Sequence, residues 1–154
     1  MISAFIHRGF IASLIAACSF SNLAFAQTAY ERSCDELAAD SRSDADRLRD
    51  LFKLNWDYSM QESPESATEV GYPGLNDRWT DQSLAAIARR ERELQGPLKV
   101  LKSIDRSHLS LADQLNYDLF RKGIEEGIEG IRFKGEYMAI NQMGGIQQNA
   151  IMSS

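Results

Sequence analysis

The sequence has few of the residue types that build metal sites and nucleophilic active sites. Its 154 residues include two histidines, His7 and His108, and two cysteines, Cys18 and Cys34. A zinc site takes three or four ligands from histidine, cysteine and carboxylate side chains, and the sequence contains neither H-E-x-x-H nor C-x-x-C. No serine stands in a G-x-S-x-G turn. The sequence therefore predicts no catalytic, cofactor-binding or metal-binding residue in this chain, and it predicts a surface or capping role for His108.

The chain also lacks an excess of positive charge and a long apolar run. It has 17 basic and 22 acidic residues, a net charge of -5, and no cluster of basic residues. This balance argues against nucleic acid and anionic membrane surfaces as partners. The apolar run at residues 10–20 is much shorter than the roughly 20 residues of a membrane-spanning helix. We therefore predict no integral membrane segment once the N-terminal region is removed.

The N-terminal 26 residues have the composition of a secretory signal peptide. They contain one arginine and no acidic residue, followed by a short apolar core, and Ala24-Phe25-Ala26 precedes Gln27 as a small-x-small cleavage site. This pattern predicts cleavage after Ala26 and a periplasmic or secreted protein. Cleavage there leaves Cys34 as the single cysteine, which we interpret as a free thiol in a flexible leader.

A bacterial lipoprotein is the alternative interpretation of the same region. Ile15-Ala16-Ala17-Cys18 resembles a lipobox, in which the cysteine is lipidated and becomes the mature N-terminus. The residues after Cys18 remain apolar, whereas lipoprotein tethers are usually polar. Cleavage after Ala26 is therefore the favoured prediction.

The remainder of the chain predicts an all-α fold with three main helices. Residues 27–43 form a polar leader with some helical character, and the apolar spacing then predicts a helix at about 44–61, which Ser43 caps. A second helix at about 81–104 keeps its apolar phase across Pro97, so we predict a kink there. A third helix at about 111–132 begins with a capping box, Ser110 to Asp113. The acidic residues on these helices, including Glu93, are interpreted as solvated.

The third helix has apolar residues on two sides. One stripe consists of Leu111, Leu115 and Leu119, and the other consists of Tyr117, Phe120, Ile124, Ile128 and Ile131. A helix that is apolar on two sides needs partners on two sides. The helix also contains Gly123, Gly127 and Gly130, each of which costs about 1 kcal/mol relative to alanine. We interpret these glycines as a groove for a closely packed backbone; the alternative is that the helix frays after Lys122.

Several motifs occur in an order that resembles the start of a bacterial family known as domain of unknown function 885. They are a P-E-x-A-T-x-x-G turn (Pro64, Glu65, Ala67, Thr68, Gly71), a helix start at Asp81 and Ser83, an I-D…D-x-L-x-Y-D-L-F run between Ile104 and Phe120, and N-Q-M-G-G at Asn141 to Gly145. The resemblance covers about residues 51–150. It implies an exported, mostly helical protein that is longer than this chain and similar to zinc metallopeptidases of the H-E-x-x-H class. In those enzymes, two histidines bind zinc and the intervening glutamate acts as the base.

The H-E-x-x-H region of such proteins lies downstream of the residues present in this chain. The resemblance therefore implies zinc and a peptide substrate only for a full-length parent. Residues 44–154 are expected to be the helical N-terminal portion of a larger metallopeptidase-like domain. The missing downstream part of that domain would be the packing partner of this chain. Under this first hypothesis the chain is an inactive fragment, and its uncharged tail at 138–154 is a broken edge.

The second hypothesis is a complete, small periplasmic helical module that binds a partner by packing a helix into a groove. It predicts a soluble chain that unfolds cooperatively and exposes no apolar patch. A complete enzyme is the least favoured hypothesis, because the ligands and nucleophiles of an active site are missing.

Overall fold

A computed structural model describes residues 26–137 of the protein, and in that range every regular element is a helix. The helices are α1 (Ala29–Ala39), α2 (Asp44–Glu62), α3 (Pro64–Glu69), α4 (Leu84–Glu93), α5 (Gln95–Ser103) and α6 (Leu111–Gly130), with short 3-10 segments at Arg106–His108, Ile131–Phe133 and Gly135–Tyr137. The predicted all-α fold is confirmed. The predicted signal peptide, the lipobox at Cys18 and the tail at 138–154 lie outside the described residues, apart from Ala26.

Serine caps fix where three of the long helices begin. The hydroxyls of Ser43, Ser83 and Ser110 each accept a hydrogen bond from the backbone N–H three residues further on, at the starts of α2, α4 and α6. These bonds satisfy N–H groups that have no partner within the helix. The predictions at Ser43 and Ser110 are confirmed. The second predicted helix begins at Leu84 rather than at residue 81, because Ser83 provides the cap.

The predicted bend in the second helix is confirmed, and it lies three residues before Pro97. The helix divides into α4 and α5 at Leu94, which keeps right-handed helical angles (φ -58°, ψ -21°). Pro97 has no N–H to donate to the carbonyl of Glu93, and its ring crowds that carbonyl. The helix is therefore interrupted at Leu94, although the backbone dihedral angles there remain in the right-handed helical range. Leu84, the first residue of α4, is 65% exposed.

The interpretation of residues 27–43 as a leader was wrong for most of its length. Residues 29–39 form α1, and Tyr30, Cys34 and Leu37 are buried in the core. The main core cluster contains residues from α1, α2, α5 and α6 together with Ile104 and Leu109; its fully buried side chains include Leu48, Leu51, Val100 and Leu101. A second, smaller cluster consists of Met60, Ala67 and Leu75. The first helix is therefore part of the core and closes one side of it.

Cys34 is not a thiol in a flexible segment. Its side chain is completely buried where α1 crosses α5, and a Cβ atom added at Gly96 would lie 2.9 Å from its Sγ. Burial raises the pKa of the Cys34 thiol to about 11. Because the thiolate is the reactive form, this cysteine is unreactive at neutral pH in the folded chain.

Candidate functional site

The inner face of α6 packs against the core through aromatic and branched side chains. Tyr117 is 4% exposed, and its hydroxyl donates a hydrogen bond of 3.0 Å to the carbonyl oxygen of Leu101 in α5. The ring of Phe120 meets the ring of Phe52 of α2 edge-on, with 5.1 Å between the centroids. Ile124 is buried on the same face. The second of the two predicted apolar stripes is therefore the one that faces the core.

The other stripe of α6 lies on the outer face and is exposed. The exposed fractions of Leu111, Leu115 and Leu119 are 85%, 59% and 61%. The helix continues to Gly130, so the interpretation that it frays after Lys122 was wrong. A surface of this kind does not contribute to the core that the described residues form.

The glycines continue the leucine stripe along the outer face. A Cβ atom at Gly123 or Gly130 would have no neighbour within 4 Å, whereas at Gly127 it would approach Leu94 Cδ1 at 3.6 Å. No backbone packs on Gly123 or Gly130 among the described residues, so the predicted groove has no occupant there. We define the leucines Leu111, Leu115 and Leu119 together with Gly123, Gly127 and Gly130 as the outer face of α6, and this face is the candidate site.

A buried ionic network joins α2 to α4. Glu93 is 1% exposed and accepts hydrogen bonds from the hydroxyl of Tyr58 (2.7 Å) and from Nη1 of Arg89 (2.8 Å). Arg89 also donates to Glu62 at 2.6 Å. The ring of Tyr58 stacks on that of Tyr30, with 3.9 Å between the centroids, and burial raises the pKa of the Tyr58 hydroxyl. The interpretation of Glu93 as a solvated residue was wrong.

This network is a structural cross-link, because each charge in it has a partner of opposite charge. Among the described residues, no buried side-chain nitrogen or oxygen lacks a hydrogen-bond partner. A buried ion pair of this kind is costly to break, since a remaining charge would be left without compensation. The network therefore holds α4 against α2.

A shallow cavity of about 350 Å³ lies between α1 on one side and α4 and α5 on the other. Two ion pairs bridge its walls: Arg92 to Glu31 at 2.9 Å, and Lys99 to Asp35 at 2.7 Å. The hydrogen bond from Lys99 lowers the pKa of the Asp35 carboxyl. Two cations and two carboxylates therefore pair with each other at this cavity.

His108 lies on the surface, as predicted, between two carboxylates. Its Nδ1 atom is 2.8 Å from Asp44 Oδ2 and its Nε2 atom is 3.7 Å from Asp105 Oδ2, with 68% of the side chain exposed. Within residues 26–137, no group of three or more histidine, cysteine, aspartate or glutamate side chains is placed to hold a metal. The described residues therefore do not fit the zinc that the family resemblance implies for a full-length parent.

We expect the ion pairs of His108 to make stability depend on pH. The hydrogen bond to Asp44, followed by the charge of Asp105, raises the pKa of His108 above its ordinary value of 6.5. The stabilisation is then fully present below the unfolded-state pKa and is lost as the pH rises through the higher folded-state pKa. An NMR titration of the His108 ring should give a pKa above 6.5, and Asp44→Asn should lower it. An unchanged value in the variant would contradict the assignment.

The P-E-x-A-T-x-x-G motif forms α3 and the turn that ends it. Pro64 occupies the first turn, and Ala67 is completely buried. The helix ends in a Schellman motif: Tyr72 N–H donates to the Ala67 carbonyl at 2.8 Å and Gly71 N–H to the Thr68 carbonyl at 3.1 Å. Gly71 has a φ of 73°, in the left-handed region. The motif is therefore explained by helix termination.

We predict that Gly71→Ala destabilises the chain by about 1 kcal/mol, because a Cβ atom is unfavourable in the left-handed conformation. The open space around this glycine excludes a steric clash as the cause. Gly71→Asn is the matched control, since asparagine tolerates this conformation better, and it should lose less. Urea unfolding followed by circular dichroism measures both; equal losses would contradict the conformational explanation.

The described residues define a helical unit with a closed core on one side of α6 and an uncovered apolar face on the other. None of their helices has both the length and the apolar character needed to cross a membrane. Residues 64–153 match the sequence profile of a family described as "Bacterial protein of unknown function (DUF885)". The chain belongs to this family, as the resemblance indicated. Neither the curated proteins nor the solved structures include a significant match.

Proposed function

We propose that this chain is the N-terminal helical portion of an exported protein similar to zinc metallopeptidases, and that it has no hydrolytic activity of its own. Its role is then to pack, through the outer face of α6, against the downstream part of the same domain. Membership of the family supports this proposal. Zinc binding and peptide hydrolysis belong to the full-length parent, and we assign no residue of this chain to either.

The single observation that carries the proposal is the contrast between the two faces of α6. Tyr117 and Ile124 are buried on one face, whereas Leu111 is 85% exposed on the other. Uncovering a leucine costs roughly 1.5–3 kcal/mol relative to burial. A helix with this distribution gains stability when a second layer of protein covers its outer face.

The proposal includes export and removal of the N-terminal 26 residues. Intact-mass measurement of the chain recovered from the periplasm should show an N-terminus at Gln27. A lipid-modified N-terminus at Cys18 would support the lipoprotein alternative instead. Retention of the N-terminal residues in the cytoplasm would contradict the export part of the proposal.

The packing part is tested by extending the chain with the neighbouring reading frame. The purified chain should bind a hydrophobic dye through the outer face of α6, and the extended protein should bind less dye per molecule. The extended protein should also hold zinc, whereas this chain should not. Stoichiometric zinc on this chain, or the absence of an H-E-x-x-H motif from every downstream frame, would count against the proposal.

A complete periplasmic interaction module is the second candidate function. It is favoured by the core, which is continuous through α1, α2, α5 and α6, and by the satisfied polar network around Glu93. This candidate predicts a sharp, cooperative unfolding transition without dye binding. Dye binding by the purified chain therefore distinguishes the two candidate functions.

A further inference from the structure

The α4 helix is attached to the rest of the molecule differently from the other long helices. Within residues 26–137, the two apolar clusters contain side chains from α1, α2, α3, α5 and α6 but none from α4. The buried residues of α4 are Ala86 and the charged Glu93, and its first residue, Leu84, is exposed. Burial of apolar surface is the main stabilising contribution to helix packing. This contribution is therefore small for α4.

Ion pairs with other helices take the place of apolar packing for α4. Glu62 lies at the end of α2 and binds two arginines of α4, and Glu31 of α1 binds another. The distances are 2.6 Å from Arg89 to Glu62, 3.3 Å from Arg90 to Glu62 and 2.9 Å from Arg92 to Glu31. Between 21% and 31% of the Glu62, Arg89 and Arg90 side chains is exposed, so water reaches these charges. A single substitution at Glu62 therefore removes the counter-charge of two arginines.

The chain on each side of α4 allows the helix to move as a unit. Residues 70–83, which precede it, consist of turns and irregular backbone. After it, the helix is interrupted at Leu94, because Pro97 has no N–H to donate. Gly96 lies in close contact with Cys34 of α1, so the anchored part of the chain begins two residues after the interruption. The interruption therefore separates an anchored helix from one that is held mainly by charge.

We propose that α4 is a flap that is held closed by ion pairs and opens about Leu94 while α1, α2, α5 and α6 remain packed together. Opening separates the arginines of α4 from Glu62. It also withdraws Glu93 from the hydroxyl of Tyr58, which donates to it at 2.7 Å in the closed state. The side of α2 that carries Tyr58 then becomes accessible to solvent. This inference goes beyond the proposed function, because it concerns a different surface from the outer face of α6.

The free energy of opening is smaller for α4 than for the other long helices. A helix that leaves the apolar core exposes apolar surface to water, and nothing compensates this loss. When α4 leaves, its arginines and the released carboxylates become hydrated, and this hydration offsets much of the lost ion pairing. Segments with few buried apolar contacts open locally without global unfolding. We therefore expect α4 to open more often than the core unfolds.

Native-state hydrogen exchange of the purified chain, followed by NMR at each backbone amide, tests the proposal. After correction for intrinsic rates, the amides of α4 should exchange at least about ten times faster than those of α5, which should exchange only when the core unfolds. Exchange in α4 should also depend less on urea, because opening of one helix exposes less surface than global unfolding.

Glu62→Gln tests the role of the ion pairs. The neutral amide leaves Arg89 and Arg90 without a counter-charge in the closed state, so the amides of α4 should exchange roughly tenfold faster. The core amides should accelerate by the same factor, because the closed state is the reference for both openings. Asp118→Asn is the matched control. It removes an exposed pair with Arg106 that is present whether α4 is closed or open, so exchange in α4 should not change.

Tyr117→Phe tests whether the core stays folded when α4 opens. The substitution removes the hydrogen bond of 3.0 Å to the Leu101 carbonyl, which joins α6 to α5. This bond is present whether α4 is closed or open. The variant should therefore accelerate exchange in α5 by about fivefold and leave exchange in α4 unchanged.

Three results would overturn the inference. Equal free energies of exchange for α4 and α5 in the unmodified chain would show a single cooperative unit. Equal acceleration of both helices by Tyr117→Phe would show the same. An unchanged rate in α4 of Glu62→Gln would show that the ion pairs do not hold the flap closed. Each of these results leaves dye binding and zinc content, which test the proposed function, unaffected, so the two failures are distinguishable.

Discussion

Arg47→Met is expected to lower the free energy of unfolding by about 3–5 kcal/mol, because it removes the charged centre of a buried junction between three helices. Arg47 is 6% exposed. Its Nε donates to the Leu37 carbonyl at 3.2 Å, its Nη2 to the Ala38 carbonyl at 3.2 Å, and its Nη1 to the Ser103 carbonyl at 3.1 Å. It also pairs with Asp44 at 3.1 Å.

These acceptors explain the size of the expected effect. Ala38 is next to the last residue of α1 and Ser103 is the last residue of α5, so their carbonyls have no partner within their own helices. The Leu37 carbonyl also accepts from the N–H of Asp40, at 3.4 Å. A cation at these helix ends also interacts favourably with the helix dipoles. Methionine fills similar space without a donor, so the carbonyls of Ala38 and Ser103 would lose this donor, and Asp44 would keep only its contact with His108.

Arg49→Met is the matched control for this substitution. Arg49 lies two residues further along α2 and pairs with Asp46, but 68% of its side chain is exposed. Exposed ion pairs contribute little, so this change should alter stability by no more than about 0.5 kcal/mol. Urea unfolding of both variants measures the difference in unfolding free energy. The comparison is valid when the dependence of that free energy on urea concentration is the same in both variants. Equal effects of the two substitutions would refute the role given to Arg47.

Gly96→Ala is expected to destabilise the chain by about 1–3 kcal/mol, although alanine is the better helix former. The added Cβ would lie 2.9 Å from Cys34 Sγ and 3.1 Å from Cys34 Cβ. The second atom belongs to the stem of a side chain on a packed helix, so relief requires α1 to move away from α5. The steric cost therefore exceeds the gain in helix propensity of about 1 kcal/mol.

Gly123→Ala is the control, because it makes the same change in the interior of another helix where nothing lies within 4 Å of the new Cβ. It should stabilise the chain by up to about 1 kcal/mol. Cys34→Ala combined with Gly96→Ala should recover part of the loss, since the closer of the two contacts is removed. Urea unfolding should show a lower unfolding free energy for Gly96→Ala and a higher one for Gly123→Ala. A higher unfolding free energy for Gly96→Ala would show that α1 does not pack closely on α5.

The positions of α2 and α6 and the bend before Pro97 could be predicted because their causes are local. A serine hydroxyl at Ser43 or Ser110 bonds an N–H only three residues away, and a proline interrupts a helix through its own missing donor. The first helix was predicted only as a leader with some helical character, although the sequence contains a clear signal for it. Thr28 and Glu31 form a capping box, and Tyr30, Cys34 and Leu37 follow at helical spacing. Polar neighbours made this short stretch resemble a leader.

The candidate site was predicted in its residues but not in its orientation. The sequence located two apolar stripes and three glycines on the third helix; a partner for the outer side remains a prediction. The sequence could not indicate that Tyr117 would face the core and Leu115 the outside, because helical periodicity describes both stripes equally well. Glu93 was misjudged for the same reason, since a carboxylate is buried or solvated according to whether Tyr58 and Arg89 reach it.

The sequence by itself determined the helical character of this chain, the caps that begin its helices, the bend before Pro97 and its place in a bacterial family. Each of these depends on residues within a few positions of one another or on an ordered set of motifs. Only the tertiary structure decided that α1 completes the core, that Arg47 joins three helix ends, and that the leucines of α6 remain uncovered. These features depend on which surfaces meet across long separations in the chain, and that is decided by packing.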